Sequence, residues 1–340
     1  FIGSLTAGAG AGASGAVDVV VRGDAFVGGE GQIFSNSTQD AGDAGHVRVS
    51  AANLTLDAGS ISSAAAVPEG LPGDNSFGAA GDVAVVVGGS LVLRNASAID
   101  TSTLTHGRAG NLQVRAADIL LDGASRMNSN ALAGSGAAGA LDVVASGDLV
   151  LRAASYLSTN SSTVGDAGEI RVSAASITLD GAAAITSTAG LDSQGRGGNV
   201  RVTTRGALAL RDTSSISAVA AGLGDAGSVD VQAGSITLES GAYISTASNV
   251  TASGSAGQVQ LQATGDIAVR GGAFVNSDAY GTGDAGDVAL TARNITVADG
   301  GRISSTASRH SGRGGHIVVQ AAGDLAVLPA TAKGGVGGSI

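Results

Sequence analysis

The chain has no cysteine and no tryptophan, three prolines, one methionine and one lysine, Lys333, among 340 residues. Without cysteine it has neither a disulfide framework nor a thiolate metal site. Aromatic residues are 2% of the chain, so large rings do not build the core. The 56 glycines follow no three-residue period and almost no proline accompanies them, which excludes a collagen helix. Hydrophobic residues reach 43%, too many for a simple disordered tail. No run approaches the roughly 20 apolar residues of a membrane span. Phe1–Gly15 has neither the basic nor the apolar region of a signal peptide. The chain reads as a fragment or a processed product. Its net charge of −10 argues against a nucleic-acid backbone as partner.

What is abundant is repetition. A phrase such as Gly165-Asp166-Ala167-Gly168-Glu169-Ile170-Arg171-Val172 recurs along the chain. The first aliphatic of each phrase marks an anchor: Val17, Val47, Val83, Leu112, Leu141, Ile170, Val200, Val229, Val259, Val288 and Ile317. The spacings are 29 or 30 residues except for one of 36, where an insertion at 67–74 is accommodated. Each unit carries three short alternating runs, as in Ile170-Arg171-Val172, Ile177-Thr178-Leu179 and Ile185-Thr186-Ser187. Period-2 alternation broken by glycine predicts three strands per unit and essentially no helix. Strands this short bury an apolar face only by stacking unit on unit. The predicted fold is all-β: a right-handed parallel β-helix with three sheets and about eleven coils of 29–30 residues. Residues 1–13 read as a lead-in, 14–328 as one β-helix, and 329–340 as a glycine-rich tail.

Several columns follow from this register. Residues two after the anchor are Val19, Val49, Val85, Val114, Val143, Val172, Val202, Val231, Leu261, Leu290 and Val319, an inward aliphatic ladder. In the third run, Ser35, Ser63, Thr101, Ser129, Thr159, Ser187, Thr246, Ser277 and Ser305 form a hydroxyl ladder bonded along the axis, with Ala218 the exception. Glycines fall at corners, where positive φ or close backbone approach is expected. The step from first to second anchor alternates between 7 and 8 residues, so the true repeat is a pair of coils. Charge alternates with it. Three residues after the second anchor the chain reads Asp57, Arg94, Asp122, Arg152, Asp180, Arg211, Glu239 and Arg270, a structural charge ladder that fixes coil register. An exposed ion pair contributes about 0–1 kcal/mol, so specificity rather than stability is its expected yield. On the first sheet Asp18 precedes Arg48, Asp142 precedes Arg171, and Arg201 precedes Asp230.

The Gly-Asp-Ala-Gly-x-Val/Ile-x-Val phrase, followed by Ile-Thr-Leu-Asp-Gly and Ile-x-Ser-Thr, resembles the repeat region of filamentous haemagglutinin-like exoproteins. The resemblance covers about residues 14–328. It implies a large bacterial adhesin exported by two-partner secretion, unfolded, through an outer-membrane secretion barrel. It also implies an extracellular or cell-surface location and roles in adhesion, biofilm formation or toxin display. The Asn-Pro motifs of the family's secretion domain are absent, so no residues of that domain carry over.

No catalytic, cofactor or metal site emerges. β-Helical polysaccharide enzymes need clustered carboxylates. The turn aspartates Asp43, Asp166, Asp225 and Asp284 recur in every second coil, about 10 Å apart, and Arg108 holds that place in another coil. Turn capping of their own backbone is their expected role. His46, His106, His310 and His316 do not gather. Tyr243, Phe274 and Arg302 share an outward position in successive coils, with Tyr280 nearby; they could stack on a sugar or on one another. The expected function is a non-enzymatic shaft of a surface exoprotein. The alternative is a polymer-forming protein of an extracellular filament, sheath or surface layer, built by end-to-end coil stacking. Candidate partners besides the barrel are host or matrix glycans and further copies of the chain.

Overall fold

The structure is a computed structural model that describes residues 1–7, 12–38, 42–66, 78–162, 164–191, 193–249, 253–308 and 312–329. The insertion at 67–74, His310 and residues 330–340 lie outside the described residues. The described chain is all-β, with 33 strands and no helix. It forms three parallel sheets of 11 strands, and within each sheet every strand pairs with those three before and three after it in sequence. The result is a β-solenoid, with a coil spacing of about 4.8 Å.

The anchors stand directly above one another. Val17 is opposite Val47, Val47 opposite Val83, and so on without slippage to Ile317. The 36-residue spacing leaves this register intact, and the extra residues fall in sequence between the third-sheet strand Ser60–Ala66 and the next anchor, Val83. Alternation along each strand then sends one set of side chains inward. In the interior coils the anchors, the residues two further on, and the aliphatics of the other two sheets are buried and form a single core cluster. The one methionine, Met127, takes the place that Ile99 and Leu157 hold in adjacent coils.

Ten coils contribute all three strands; the eleventh, from Ile317, contributes two. The expected lead-in is only partly that, since Ile2–Ala7 forms a strand paired with Gln32–Thr38 in the third sheet. Its Ile2-x-Ser4 spacing is the Ile-x-Ser pattern of the other third strands, and the Ser4 hydroxyl accepts the Gly15 N–H as those serines do with their glycines.

The three corners solve three different steric problems. Between the third and first sheets the chain passes through two columns of glycine. A β-carbon on Gly168 would lie 1.9 Å from the carbonyl oxygen of Gly139, and one on Gly198 would lie 2.0 Å from that of Gly168. The same conflict recurs at Gly45, Gly81, Gly110, Gly139, Gly227, Gly257, Gly286 and Gly315, at 2.0–2.4 Å. It recurs again in the second column, where a β-carbon on Gly165 would meet the oxygen of Gly136 at 2.3 Å. Backbone-to-backbone approach explains these glycines, and none of them has positive φ.

The hydroxyl ladder belongs to this corner. Its hydroxyls do not bond to one another, as a simple axial ladder would require. Instead they bond to the glycine corners, and the serines link two of them. Ser63 Oγ donates to the Gly45 carbonyl at 2.7 Å and accepts the Gly81 N–H at 2.8 Å. Ser187 joins Gly168 and Gly198 in the same way, at 2.9 and 3.0 Å. Thr101, Thr159 and Thr246 donate to the glycine carbonyl that follows them, at 2.6–2.7 Å. A serine or threonine short enough to reach the turn satisfies backbone groups that the glycine packing removes from water. Ala218 interrupts the series.

Between the first and second sheets lies the 7/8 alternation. In three of the 8-residue coils the turn contains Gly89, Gly147 or Gly323, where a β-carbon would strike Asn53 Oδ1, Asp118 Oδ1 or Asn294 Oδ1 of the coil before, at 2.2–2.5 Å; in two others a β-carbon on Gly206 or Gly265 would meet the backbone oxygen of Ala175 or Gly234, at 2.7–2.8 Å. The side-chain oxygens accept the N–H of Ser90, Asp148 and Asp324 at 2.8–2.9 Å. A short turn with a side-chain acceptor and a long turn with glycine are thus complementary halves.

Between the second and third sheets the corner uses left-handed residues, and most are not glycine. Ala153 and Ala154 have φ of 52° and 59°, and Asp212 and Thr213 have 48° and 62°. Glycine at every corner is therefore not required. Left-handed conformations are disfavoured by about 1–2 kcal/mol for residues with a β-carbon, most of all for β-branched ones.

Opposite outcomes are expected at the two glycine-related corners, with urea unfolding midpoints as the measurement. Gly168→Ala is destabilising by about 3 kcal/mol, since backbone must move to admit the methyl. Thr213→Gly is stabilising by about 1 kcal/mol, since it relieves a left-handed β-branched residue. Ala218→Ser, which completes the hydroxyl series, adds about 1 kcal/mol.

Candidate functional site

The outer faces carry the polar chemistry. On the second sheet Asp57 stands directly opposite Arg94. Backbone bonds from Asp122, Arg152, Asp180, Arg211, Glu239 and Arg270 to the leucines of the preceding coils place them in one column with that pair. Asp57 meets Arg94 at 2.9 Å, Asp122 meets Arg152 at 2.8 Å, and Glu239 lies between Arg211, at 3.7 Å, and Arg270. Arg152 is also within the field of Asp180 on its other side. The Asn95 amide foremost, then Arg94, holds the Asp57 carboxyl below the usual range. Hydrogen bonding from Arg152 does the same for Asp122. These side chains all point away from the core and line one sheet, as the coil register requires.

The first sheet follows the sequence pairing less closely. Arg201 meets Asp230 at 3.2 Å. Asp142, in register with Arg171, instead meets Arg115 of the coil before at 3.4 Å, and Arg171 turns to Glu169 two residues upstream on its own chain. Arg171 stands directly beside Arg201, so turning to Glu169 offsets like-charge repulsion. Asp18 and Arg48 are opposite in register. A groove of about 400 Å³ on this sheet is lined by His46, Arg48, Asp82, Asn111, Gln113 and Asp142, among others. Its polar groups already serve the wall: His46 Nδ1 accepts the Asp82 N–H at 3.0 Å, Asp82 accepts the Asn111 N–H at 2.7 Å, and Asn111 accepts the Ala140 N–H at 3.0 Å.

The turn aspartates do not cap their own turns. Each reaches up one coil: Asp43 accepts the N–H of Ala79, Asp166 that of Arg196, Asp225 that of Ser255, and Asp284 that of Arg313, at 2.7–2.8 Å. The reason is geometric. The neighbouring coil's N–H lies one strand spacing away, within reach of a short acidic side chain. The Arg313 N–H and guanidinium draw the Asp284 carboxyl below its ordinary range. The arrangement ties one coil to the next and leaves one oxygen of each of these four carboxylates in the same inter-coil role.

Tyr243, Phe274 and Arg302 are in register on the third sheet. The two rings are stacked, 4.9 Å between centroids and 1° apart in plane, and the Arg302 guanidinium lies 5.8 Å from the Phe274 centroid. Phe274 thus has a ring on one side and a cation on the other. The same strand presents two side chains that the sequence reading did not single out. Asn276 donates to Asp278 Oδ2 at 2.5 Å, Asp278 Oδ1 accepts the Thr306 N–H at 3.0 Å, and the Tyr280 hydroxyl lies 3.3 Å from Asp278 Oδ2. Burial, then Asp278, pushes the Tyr280 hydroxyl up from its ordinary value. Asp100, in the same sheet, is likewise raised by burial, although Ser102 N–H and Asn128 bond to it. The signal for Asp100 and Asp278 was their alternation in step with outward positions, hidden because these faces are lined by small residues and half close over the acids.

Among the described residues no group of three or more His, Asp or Glu is arranged to hold a metal. His106 Nδ1 lies 2.9 Å from the Ser135 hydroxyl, and the backbone N–H of His316 donates to the Asp287 carboxylate at 2.7 Å.

The lowered carboxylates fix the sign of the acid response. A depressed folded value contributes stability above the unfolded value of about 3.9 and loses it as pH falls through the folded value. Melting temperature is expected to hold from pH 7 to about 5 and to fall below about 4. NMR titration of Asp122 gives a value below the ordinary one, and Arg152→Gln returns it toward that range. No family model, curated protein or solved structure matches the chain.

Proposed function

We propose that the chain is a non-enzymatic stretch of shaft in a large bacterial surface exoprotein of the filamentous haemagglutinin-like, two-partner secretion type. On this reading it lies outside the cell, reaches it through an outer-membrane secretion barrel, and holds a more distal binding or toxic element away from the surface. One observation supports this most: the polar side chains of the corners are engaged in joining coil to coil. The serine hydroxyls link the glycines of successive corners, and the turn aspartates, turn asparagines and ladder arginines have their partners one coil away. A wall whose polar groups bond along its own axis suits length and rigidity. The absence of cysteine suits passage in an unfolded state through an oxidising envelope, where disulfides would trap folded intermediates.

The alternative is a filament or sheath protein assembled end to end. In such an assembly another copy would stack on Phe1, Ile2 and Phe26 at one edge and on Leu325 and Val327 at the other, side chains that a further coil of a longer chain would cover equally. An adjoining coil covers the equivalent positions everywhere else along the solenoid. Electron microscopy of native material separates the two readings: rods with an axial repeat near the length of this chain favour the polymer.

A shaft tolerates shortening in whole repeats. Excision of residues 170–228, one coil pair, leaves Arg152 below Glu239 and a 7-residue coil above an 8-residue one. The excised protein is expected to keep its β-sheet circular dichroism, and the intact exoprotein to keep its surface activity. Excision of 170–199, a single coil, sets Arg152 against Arg211 and two long turns against each other, and lowers the melting temperature. Loss of surface activity from the pair excision in a folded protein would overturn the shaft reading.

A further inference from the structure

The outward position at the centre of the third sheet is polar in nine successive coils. From Ser62 to Ser304 it holds only Ser, Thr, Asn or Asp, each directly opposite the next. These side chains alternate with the inward aliphatics and so point away from the core, yet Asn128, Ser158, Ser217, Ser245 and Asn276 are only 1–7% exposed. Larger side chains flank them two residues away along the chain, Arg126, Tyr156, Tyr243 and Phe274 on one side and Asn130 and Asp278 on the other. The column is thus the floor of a shallow trough that runs along the rod axis.

Two places in this floor are unfinished. Asn276 Nδ2 donates to Asp278 at 2.5 Å and Asn128 Nδ2 donates to Asp100 at 3.1 Å, and in both residues the side-chain carbonyl oxygen is buried with no hydrogen-bond partner. Because each Nδ2 is held by a carboxylate, each Oδ1 is turned away from it. Native structures rarely leave a buried acceptor unpaired, so both oxygens call for a donor from outside the wall. The two asparagines stand in one column, five coils or about 24 Å apart. Around Asn276 the trough also has built sides. The Tyr243 and Phe274 rings stack along the axis with planes 1° apart, and therefore turn their edges to the floor. The edge is the positive part of an aromatic ring and attracts oxygen. On the other side the Tyr280 hydroxyl lies 3.3 Å from Asp278.

We propose that this trough binds a neutral polysaccharide lying along the rod axis, whose hydroxyls donate to Asn128 and Asn276. The chemistry of the floor selects this class. Its serines and threonines both donate and accept, and so does a sugar hydroxyl. A cationic chain only donates, and would meet Arg126 and Arg302 on the trough's side. An anionic chain would meet Asp100 and Asp278 and a net charge of −10. An extended run of pyranose rings advances by close to one coil spacing per ring, so successive rings meet equivalent positions of the floor. The trough lies on the flank of the rod, so the site is independent of whether the chain is a shaft or a filament unit.

The test is calorimetric titration of the full chain with short and long oligosaccharides of glucose, mannose, galactose and N-acetylglucosamine, with polygalacturonate and polylysine as charged controls. At least one neutral series is expected to bind, and more tightly once it is long enough to span both asparagines. Asn276→Ser keeps the column polar and lowers the affinity at least about tenfold, with unchanged circular dichroism. Adding Asn128→Ser lowers the affinity of the long oligosaccharide further. In NMR spectra of the unaltered chain, the side-chain amide signals of Asn128 and Asn276 shift as sugar is added. Failure of every neutral series to bind overturns the proposal. So does an affinity unchanged in the double variant, or binding confined to polygalacturonate or polylysine, which would indicate a site for charge. If a variant fails to fold, the two amide signals decide, and their staying in place overturns the proposal. The shaft reading is tested separately by excision of a coil pair, so the failure of one is distinct from the failure of the other.

Discussion

The close approach of backbone to backbone at the corner before the first sheet is the constraint on which the rest of the solenoid depends. Successive glycines stack with no room for a β-carbon, because the space it would need holds the carbonyl oxygen of the coil before. That proximity sets the coil spacing at one corner, and hydrogen bonding sets it along the sheets. It also removes backbone donors and acceptors from water. The serine and threonine hydroxyls of the third sheet reach back to these glycines and supply the missing partners. Glycine and serine recur together because neither is sufficient alone.

The two coil types are a second consequence of stacking. In three of the coils a long turn lies on a short turn that supplies a side-chain acceptor for its N–H, from Asn53, Asp118 or Asn294. Charge on the second sheet follows the same two-coil period, so turn length and charge specify the same neighbour. An ion pair this exposed adds little stability, but a slipped coil would bring arginine against arginine and long turn against long turn. Redundant local signals of this kind favour one register over its alternatives.

Much of the fold was legible in the residues because a solenoid turns sequence spacing into spatial neighbourhood. Anchors 29 or 30 apart become vertical contacts, so columns such as Asp57, Arg94 and Asp122 could be written down from the text. The less legible features depend on where a side chain turns once it has left the wall. Asp142 and Arg171 are in register and still part company, because Arg201 stands beside Arg171 and Glu169 lies within its reach. The turn aspartates serve the next coil and not their own turn, a distinction that spacing does not contain. The strand Ile2–Ala7 carried its Ile-x-Ser signal openly but lacked the other two runs that mark a unit.

The sequence by itself determined the all-β class, the three strands per repeat, the inward aliphatic columns and the vertical order of the charges, since all of these follow from periodicity. Tertiary structure alone decided which corner needs glycine for space and which uses left-handed residues such as Ala153, Ala154 and Thr213. It also decided that the serine ladder bonds to glycine backbone. The physical reason is the same in each case. Periodicity says which residues are neighbours, but clearance, side-chain direction and exposure exist only once the coils are packed against one another.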